Sequence, residues 1–485
     1  MRGAEAMKKW LILGAANFSG ALLSLLRNVV IARLLAPEEF GIASTFAITL
    51  ALFEVLSNIG INNLIVQARD GNRARLQADL QGIQLARGVI AGALLLVLAG
   101  PYARLLGAGE ALWAYQVMAG VPLLRGLWHL DIFRLQREMR FLPFAAATVV
   151  SQVLAVAAVW PLAEIGRDYT IMLWTILFQQ ASFTLVSHLM ATRRYRIRWS
   201  GAIVRKAMRF GLPLLGNGIL LFGIFHGDRL IIANQAGLDV LGWFAVAAML
   251  TLTPSMVLAK TLQPLFLPRL ARMQDDAAGF ARTSAQTIEA FVLAGTALAL
   301  GFALVGEPLL IALFGIEYAA ALNVLTWLAV MQAVRLFKAG PTIVAISLAE
   351  TTNPLIANFT RCLALPASFA ALAAGAPVVV VAWTALAGEA LAVLVSLALL
   401  RVRLRLGLGG MVWPIAAGAG MLATIGLDTE LVPPTLAILP DFYWGQAGLI
   451  ACFCLLTIAM PTVRARLFGC LAGWPQPDND GGKDE

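Results

Sequence analysis

The residues best placed for chemistry are charged side chains, and one amide beside them, set inside long apolar segments. Arg27, Asn28, Asp228, Arg229, Lys260, Arg335 and Lys338 all fall in stretches otherwise rich in Leu, Ile, Val, Ala and Phe. An ion at the centre of a hydrocarbon layer costs about 2.5–3.5 kcal/mol even on the lenient insertion scale, so such residues are functional candidates by default. Asn17, Ser24, Arg27 and Asn28 recur at spacings that share one helical face, and Asn217, Asp228 and Arg229 repeat the arrangement later in the chain. Gln332, Arg335 and Lys338 form a further helical series. Guanidinium groups grip phosphate bidentately and ammonium groups act as point charges, so this set predicts a basic cavity suited to a diphosphate.

Opposing charges are scarcer: the acids within apolar segments are Glu54, Glu289 and Glu389. Glu54 and Glu389 are candidates for a coupling proton or for an ion pair, since a desolvated carboxyl titrates nearer neutrality. For Glu54 the alternative is a structural pair with Arg27 or Arg33, and Arg27 has Asp228 as a second candidate partner. Arg33 and Arg361 are expected to snorkel toward headgroups. Pro254, Pro264, Pro268 and Pro341 are expected to unwind helices beside a cavity. His129, His188 and His226 stand alone and read as interfacial or packing residues. Cys362, Cys452, Cys454 and Cys470 show no CxxC spacing and read as small packing residues, so neither metal nor cofactor is expected.

These residues must be positioned by membrane-spanning helices. The 485-residue chain is 60% hydrophobic and 13% charged, against roughly 45–50% and about 25% in soluble domains. Its apolar blocks have the length a helix needs to cross a hydrocarbon core, and GVIAGALLLVLAG (Gly88 to Gly100) lacks the alternation of a barrel strand. The fold class is therefore all-α and polytopic, with about 14 transmembrane helices. They are predicted near 10–35, 40–66, 83–106, 112–132, 142–163, 169–191, 210–236, 240–267, 285–305, 320–346, 353–374, 377–400, 411–427 and 443–461. The start MKKWLILGAANFSGALL continues apolar to Leu35 without an A-x-A site, so it reads as the first helix rather than a cleaved signal.

The formal charge of +9 would suggest nucleic acid in a soluble protein, but the basic residues sit between the apolar blocks. Placing Arg2, Lys8 and Lys9 in the cytoplasm also places there Arg69, Arg73 and Arg75, then Arg134, Arg137 and Arg140, and then the 192–209 connection. Arg269, Arg272, Arg282, Arg401, Arg403, Arg405, Arg464 and Arg466 follow on the same side, leaving Arg104 and Arg167 outside. That asymmetry orients both termini to the cytoplasm and 428–442 to the periplasm. The same connection divides the chain into a six-helix half at 1–191 and a second at 210–400, followed by two additional helices at 401–470 and a polar tail at 471–485. An internal repeat supports the division: RNVVIARLLAPEEFG (Arg27 to Gly41) aligns with DRLIIANQAGLDVLG (Asp228 to Gly242), pairing Ile31 with Ile232, Ala32 with Ala233 and Gly41 with Gly242. An even number of spans separates the copies, which predicts parallel repeats.

At these repeats the sequence resembles the polysaccharide-transporter family of the MOP exporter superfamily, the Wzx-type flippases. The resemblance rests on ARLLAPEEFGIAS (Ala32 to Ser44) with LSNIGINNLIVQ (Leu56 to Gln67) and on FHGDRLIIANQAGLDVLGWFAVAAML (Phe225 to Leu250) with LQPLFLPRLARM (Leu262 to Met273). LFGIEYAAALNVLTWLA (Leu313 to Ala329) is a third landmark. The resemblance implies two helical bundles around a central cavity that carries an undecaprenyl-diphosphate-linked oligosaccharide across a bacterial inner membrane by alternating access. It also implies, as partners, membrane lipid, a polysaccharide polymerase and a chain-length regulator, and no nucleic acid. Three rivals are weighed against it. A membrane glycan polymerase or ligase would carry a large exterior loop, whereas the longest here is about 15 residues. A cation or drug antiporter of the superfamily would favour buried acids over buried bases. A peptidoglycan-precursor flippase would carry the same diphosphate charge.

Overall fold

The computed structural model of the chain describes residues 2–57, 60–68, 70–431, 440–461 and 463–464. Without water to bond an exposed peptide, a chain in lipid satisfies its backbone within each segment, and the regular elements among the described residues are all helical. They are α1 (Arg2–Leu34), α2 (Pro37–Ser57), α3 (Ile61–Gln67), α4 (Ala74–Leu105), α5 (Leu112–Met118), α6 (Gly120–Gly126), α7 (Asp131–Arg137), α8 (Leu142–Ile165) and α9 (Thr170–Leu189). Then come α10 (Gly201–Gln235), α11 (Leu238–Arg272), α12 (Ala277–Phe314), α13 (Leu322–Ser347), α14 (Thr352–Cys362), α15 (Ala364–Ala373), α16 (Val379–Arg403), α17 (Gly409–Leu431) and α18 (Pro440–Ala459).

Among the described residues, 11 helical segments are long and apolar enough to cross a membrane, from Pro37–Leu56 to Gly409–Leu427, and each meets one predicted span. The chain is a multi-pass helical membrane protein. Of the other three predicted spans, 10–35 lies largely in α1 and 443–461 largely in α18, whose apolar part is Gln446–Ala459. The third, 112–132, is interrupted. Pro122 has no N–H to give the carbonyl of Met118, and the helix divides at Ala119 into α5 and α6, then ends at Gly126 before α7. The span predicted at 40–66 also ends early, because Gly60, at φ 66°, turns the chain from α2 into α3. The expected proline breaks do not occur: α11 is helical through Pro254, Pro264 and Pro268, and α13 through Pro341. Arg69, Arg466, Cys470, the tail at 471–485 and most of the 428–442 connection lie outside the described residues.

The described residues form two compact units. The first draws on Met1–Thr253, Pro308–Leu325 and Asn358–Gly388, and the second on Pro254–Glu307, Thr326–Ala357 and Glu389–Glu485. In the first, α8 packs on α1 and α9, α4 on α6, and α2 on α10. The two repeats meet there: a Cβ on Gly41 would strike the carbonyl of Leu238, and one on Gly242 would strike the carbonyl of Pro37. Ile61, Leu64 and Ile65 of α3, Leu76, Leu80 and Ile83 of α4, and Leu130, Ile132 and Phe133 form a buried cluster at one end of this unit. In the second, Phe337 of α13 sits against Gly295 of α12 and Gly418 of α17. Asn353 Nδ2 donates to Ser396 O at 2.9 Å and Asn353 Oδ1 accepts from Ser396 Oγ at 2.7 Å, which ties α14 to α16.

Candidate functional site

In the first unit, α1 carries Arg27 into the interior, where it is only 8% exposed. Its Nη1 donates to Gln179 Oε1 on α9 and its Nη2 faces Asn28 Oδ1 at 3.5 Å, while its Nε meets no acceptor among the described residues. Asn28 Nδ2 in turn faces Met249 Sδ at 3.5 Å. Gln179 is a neutral amide, and no ion pair to Arg27 is formed among the described residues, so the expected pairing with Asp228 does not occur. A buried cation held only by amides is unstable unless something anionic visits it. Asp228 and Arg229 lie half-buried on α10, each with partners of its own.

Glu54 takes neither of its expected partners. It forms an ion pair with Arg125 of α6, whose Nε donates to Gln180 Oε1 at 3.2 Å and whose guanidinium stands 5.7 Å from the Trp128 ring centre. Arg87 of α4 stands close enough to feel both Glu54 and Arg125. Beside it lies an apolar cleft of about 250 Å³ walled by Phe53, Ile83, Ile90, Leu94 and Trp199. Neither Arg87 nor Arg125 was among the residues selected from the sequence. The available signal was the helical stripe Gln77, Gln81, Gln84, Arg87 within α4.

In the second unit, α13 presents Arg335 and Lys338 to one carboxylate on α16. Arg335 Nε donates to Glu389 Oε1 at 2.6 Å, and Lys338 Nζ lies 3.3 Å from Glu389 Oε2. Glu389 is fully buried and Lys338 nearly so. Gln332, one turn earlier and also buried, offers an Oε1 with no partner among the described residues. The structure thus brings Arg335, Lys338 and Glu389 together, while Lys260 of α11 is exposed and outside that triad.

Two arginines expected at the headgroups are engaged in protein. Arg33 Nη1 donates to the carbonyls of Ile311 at 3.3 Å and Ala312 at 3.1 Å, bonding carbonyls in the last turn of α12. Arg361 is 5% exposed, donates to Ile224 O at 2.9 Å and stands over the Phe225 ring, because the neighbouring helix offers a carbonyl that lipid cannot. Cys362, Cys452 and Cys454 carry free thiols.

Many long apolar helices define a polytopic helical membrane fold, and solved structures of that kind are similar to this chain. A lipid II flippase, MurJ, in an inward closed conformation matches with a TM-score of 0.70 at 12% identity, over 95% of this chain and 100% of that one. An inward-facing multidrug resistance MATE family transporter of the MOP superfamily matches at 0.61 and 16%, over 84% and 95%. The chain itself belongs to the polysaccharide biosynthesis protein family, whose model matches residues 30–323. It is 25% identical over 311 residues to the succinoglycan biosynthesis transport protein ExoT of Rhizobium meliloti (strain 1021), covering 63% of this chain and 62% of that protein. It is 24% identical over 290 residues to the lipopolysaccharide biosynthesis protein WzxC of Escherichia coli (strain K12), covering 55% and 54%. The matches therefore span less than two-thirds of either relative.

Proposed function

We propose that this protein is a flippase that moves a polyprenyl-diphosphate-linked oligosaccharide from the cytoplasmic to the periplasmic leaflet of a bacterial inner membrane. The movement is by alternating access of six-helix halves at 1–191 and 210–400, and the product feeds exopolysaccharide, capsule or O-antigen synthesis. The observation that carries the reading is the buried cation Arg27, held by the neutral amides of Gln179 and Asn28 with no carboxylate on it among the described residues. A diphosphate supplies the missing negative charge. The apolar cleft beside Arg87 suits part of an isoprenoid chain. The names of the two relatives, a transport protein and a polysaccharide-biosynthesis protein, point the same way. No covalent step is assigned to the chain: it is a transporter rather than an enzyme, working beside a polymerase and a chain-length regulator.

The test is depletion of the protein followed by leaflet-resolved labelling of the glycolipid. The flippase reading expects complete lipid-linked oligosaccharide trapped on the cytoplasmic face while its synthesis continues. If the glycolipid is already accessible outside and a sugar linkage is missing instead, the chain acts as a polymerase or ligase. The orientation is tested separately by a reporter fused at residue 200, which the charge asymmetry expects to be cytoplasmic.

A further inference from the structure

The first unit holds another basic site, apart from the cation clusters above. The stretch after α9 lies irregular and extended against the N-terminal turns of α4. Thr192 and Arg193 give their backbone N–H groups to Asp131 Oδ2 at 2.8 and 3.3 Å, and Arg198 N donates to Ala78 O at 3.0 Å. Arg193 is fixed by Gln77 Oε1 at 3.0 Å and by Asn72 O at 2.9 Å. Between this stretch and α4 lies a cavity of about 270 Å³ whose polar walls are Gln77, Gln81, His129, Arg193, Arg194 and Arg196. Its nearest carboxylates face other cations: Asp131 bonds Arg134 at 2.6 Å, and Asp79 lies 3.8 Å from Arg198.

His129 gives the cavity its chemistry. It is 2% exposed, and its Nδ1 accepts the N–H of Asp131 at 3.1 Å. The neutral ring must then carry its proton on Nε2. Burial, and then the neighbouring His188, depress its pKa and keep it neutral. Its Nε2 has no hydrogen-bond partner among the described residues, so a buried donor waits in the wall of an arginine-lined cavity. The rings of Tyr195 and His188, at 5.5 and 5.2 Å between centroids, hold the imidazole in place. The first turn of α4 also borders the cavity at Ala74, where the N-cap residue Arg73 makes no side-chain cap and the positive end of the helix dipole favours an anion.

We propose that this cavity binds a phosphoryl anion, the phosphate or diphosphate group of a lipid or of a free phosphate compound. Arg194 and Arg196 clamp the anion, and His129 Nε2–H donates to one of its oxygens. The proposal does not depend on the flippase reading, because binding is measured without transport. The test uses the full chain in nanodiscs of zwitterionic lipid with nitrogen-15-labelled histidine, which reports three rings in all. One arm titrates pyrophosphate, and the other incorporates phosphatidic acid. A saturable downfield shift of the His129 Nε2–H signal is expected in at least one arm, and the arm that responds names the source. Arg194→Gln with Arg196→Gln weakens binding more than about tenfold, since two charge-assisted contacts are lost, with the unfolding temperature unchanged. If neither probe moves the His129 signal in folded protein, or if the double variant binds as the wild type does, the site assignment is wrong.

Discussion

Replacing Gly41 or Gly242 by alanine probes how the two repeats meet. A Cβ at either position lands on a backbone carbonyl of the other helix, Leu238 for Gly41 and Pro37 for Gly242, well inside van der Waals separation. Each would also come 3.2 Å from the backbone nitrogen of the opposite glycine. Backbone atoms near the start of a helix have no alternative rotamer, so α2 and α11 must part by about 1 Å or more. A gap of that size forfeits about a quarter to a half of the dispersion in each contact it opens. Overpacking of this kind costs about 1–3 kcal/mol, against about 0.5–1 kcal/mol gained when alanine replaces glycine in a helix. Overpacking wins, leaving each variant less stable by roughly 1–2 kcal/mol. Once one alanine has separated the helices, the second finds the space already open, so the double variant loses less than the sum, with a coupling of about 1 kcal/mol. Intrinsic tryptophan fluorescence during heating of the purified protein reads this as a fall of a few degrees. Gly301→Ala is the control, since nothing lies within 4 Å of its added Cβ. If Gly41→Ala behaves like Gly301→Ala, or if the two losses simply add, the shared-contact reasoning fails.

Glu389→Gln removes the carboxylate that Arg335 and Lys338 share and lowers membrane abundance, as expected for about 3–5 kcal/mol; adding Arg335→Gln restores much of it, as quantitative immunoblotting of membranes will show. Arg27→Gln removes a buried charge that has no carboxylate partner among the described residues, so abundance is maintained or rises while glycan export is lost; a parallel fall in both would make Arg27 a structural residue. Glu54→Gln weakens the hold on Arg125 and lowers the unfolding temperature, an effect that disappears in the Arg125→Gln background. Burial alone would raise the Asp131 carboxyl, but hydrogen bonds from Arg134 and Thr192 prevail and hold it at about 2. Because its folded pKa is depressed, its contribution of roughly 2 kcal/mol is complete above the usual carboxylate value and is lost as pH falls through about 2; Asp131→Asn therefore flattens the acid limb of the stability profile.

The helices were legible because each span must satisfy its own backbone in lipid, and the apolar run that results is local in sequence. Where the reading slipped, a single residue was responsible: Pro122 removes one N–H and divides a crossing, and Gly60 turns a helix early. The positions of Arg27, Lys338 and Glu389 were legible for the same reason, since a charge in an apolar run stands out. Their partners were not. Arg27 bonds a glutamine 152 residues away, and Glu54 chose Arg125 over the arginines near it in sequence, because pairing is set by which helices touch and periodicity carries no record of that. Arg87 escaped notice because the mean hydropathy of 1.9 over the best window of Ala74–Leu105 reflects its apolar second half and hides the polar stripe before it.

The repeat shows what lies between those two cases. Alignment alone pairs Pro37 with Leu238 and Gly41 with Gly242. In the folded chain the close approaches are Gly41 to Leu238 and Gly242 to Pro37, and exchanging the two copies turns each contact into the other. A contact that survives that exchange is isologous, the geometry of a local twofold axis passing between the two glycines. Each glycine is thus required by its own counterpart. A larger residue at either position displaces both helices at once, and the pressure to keep a residue without a side chain acts on the pair rather than on two independent sites.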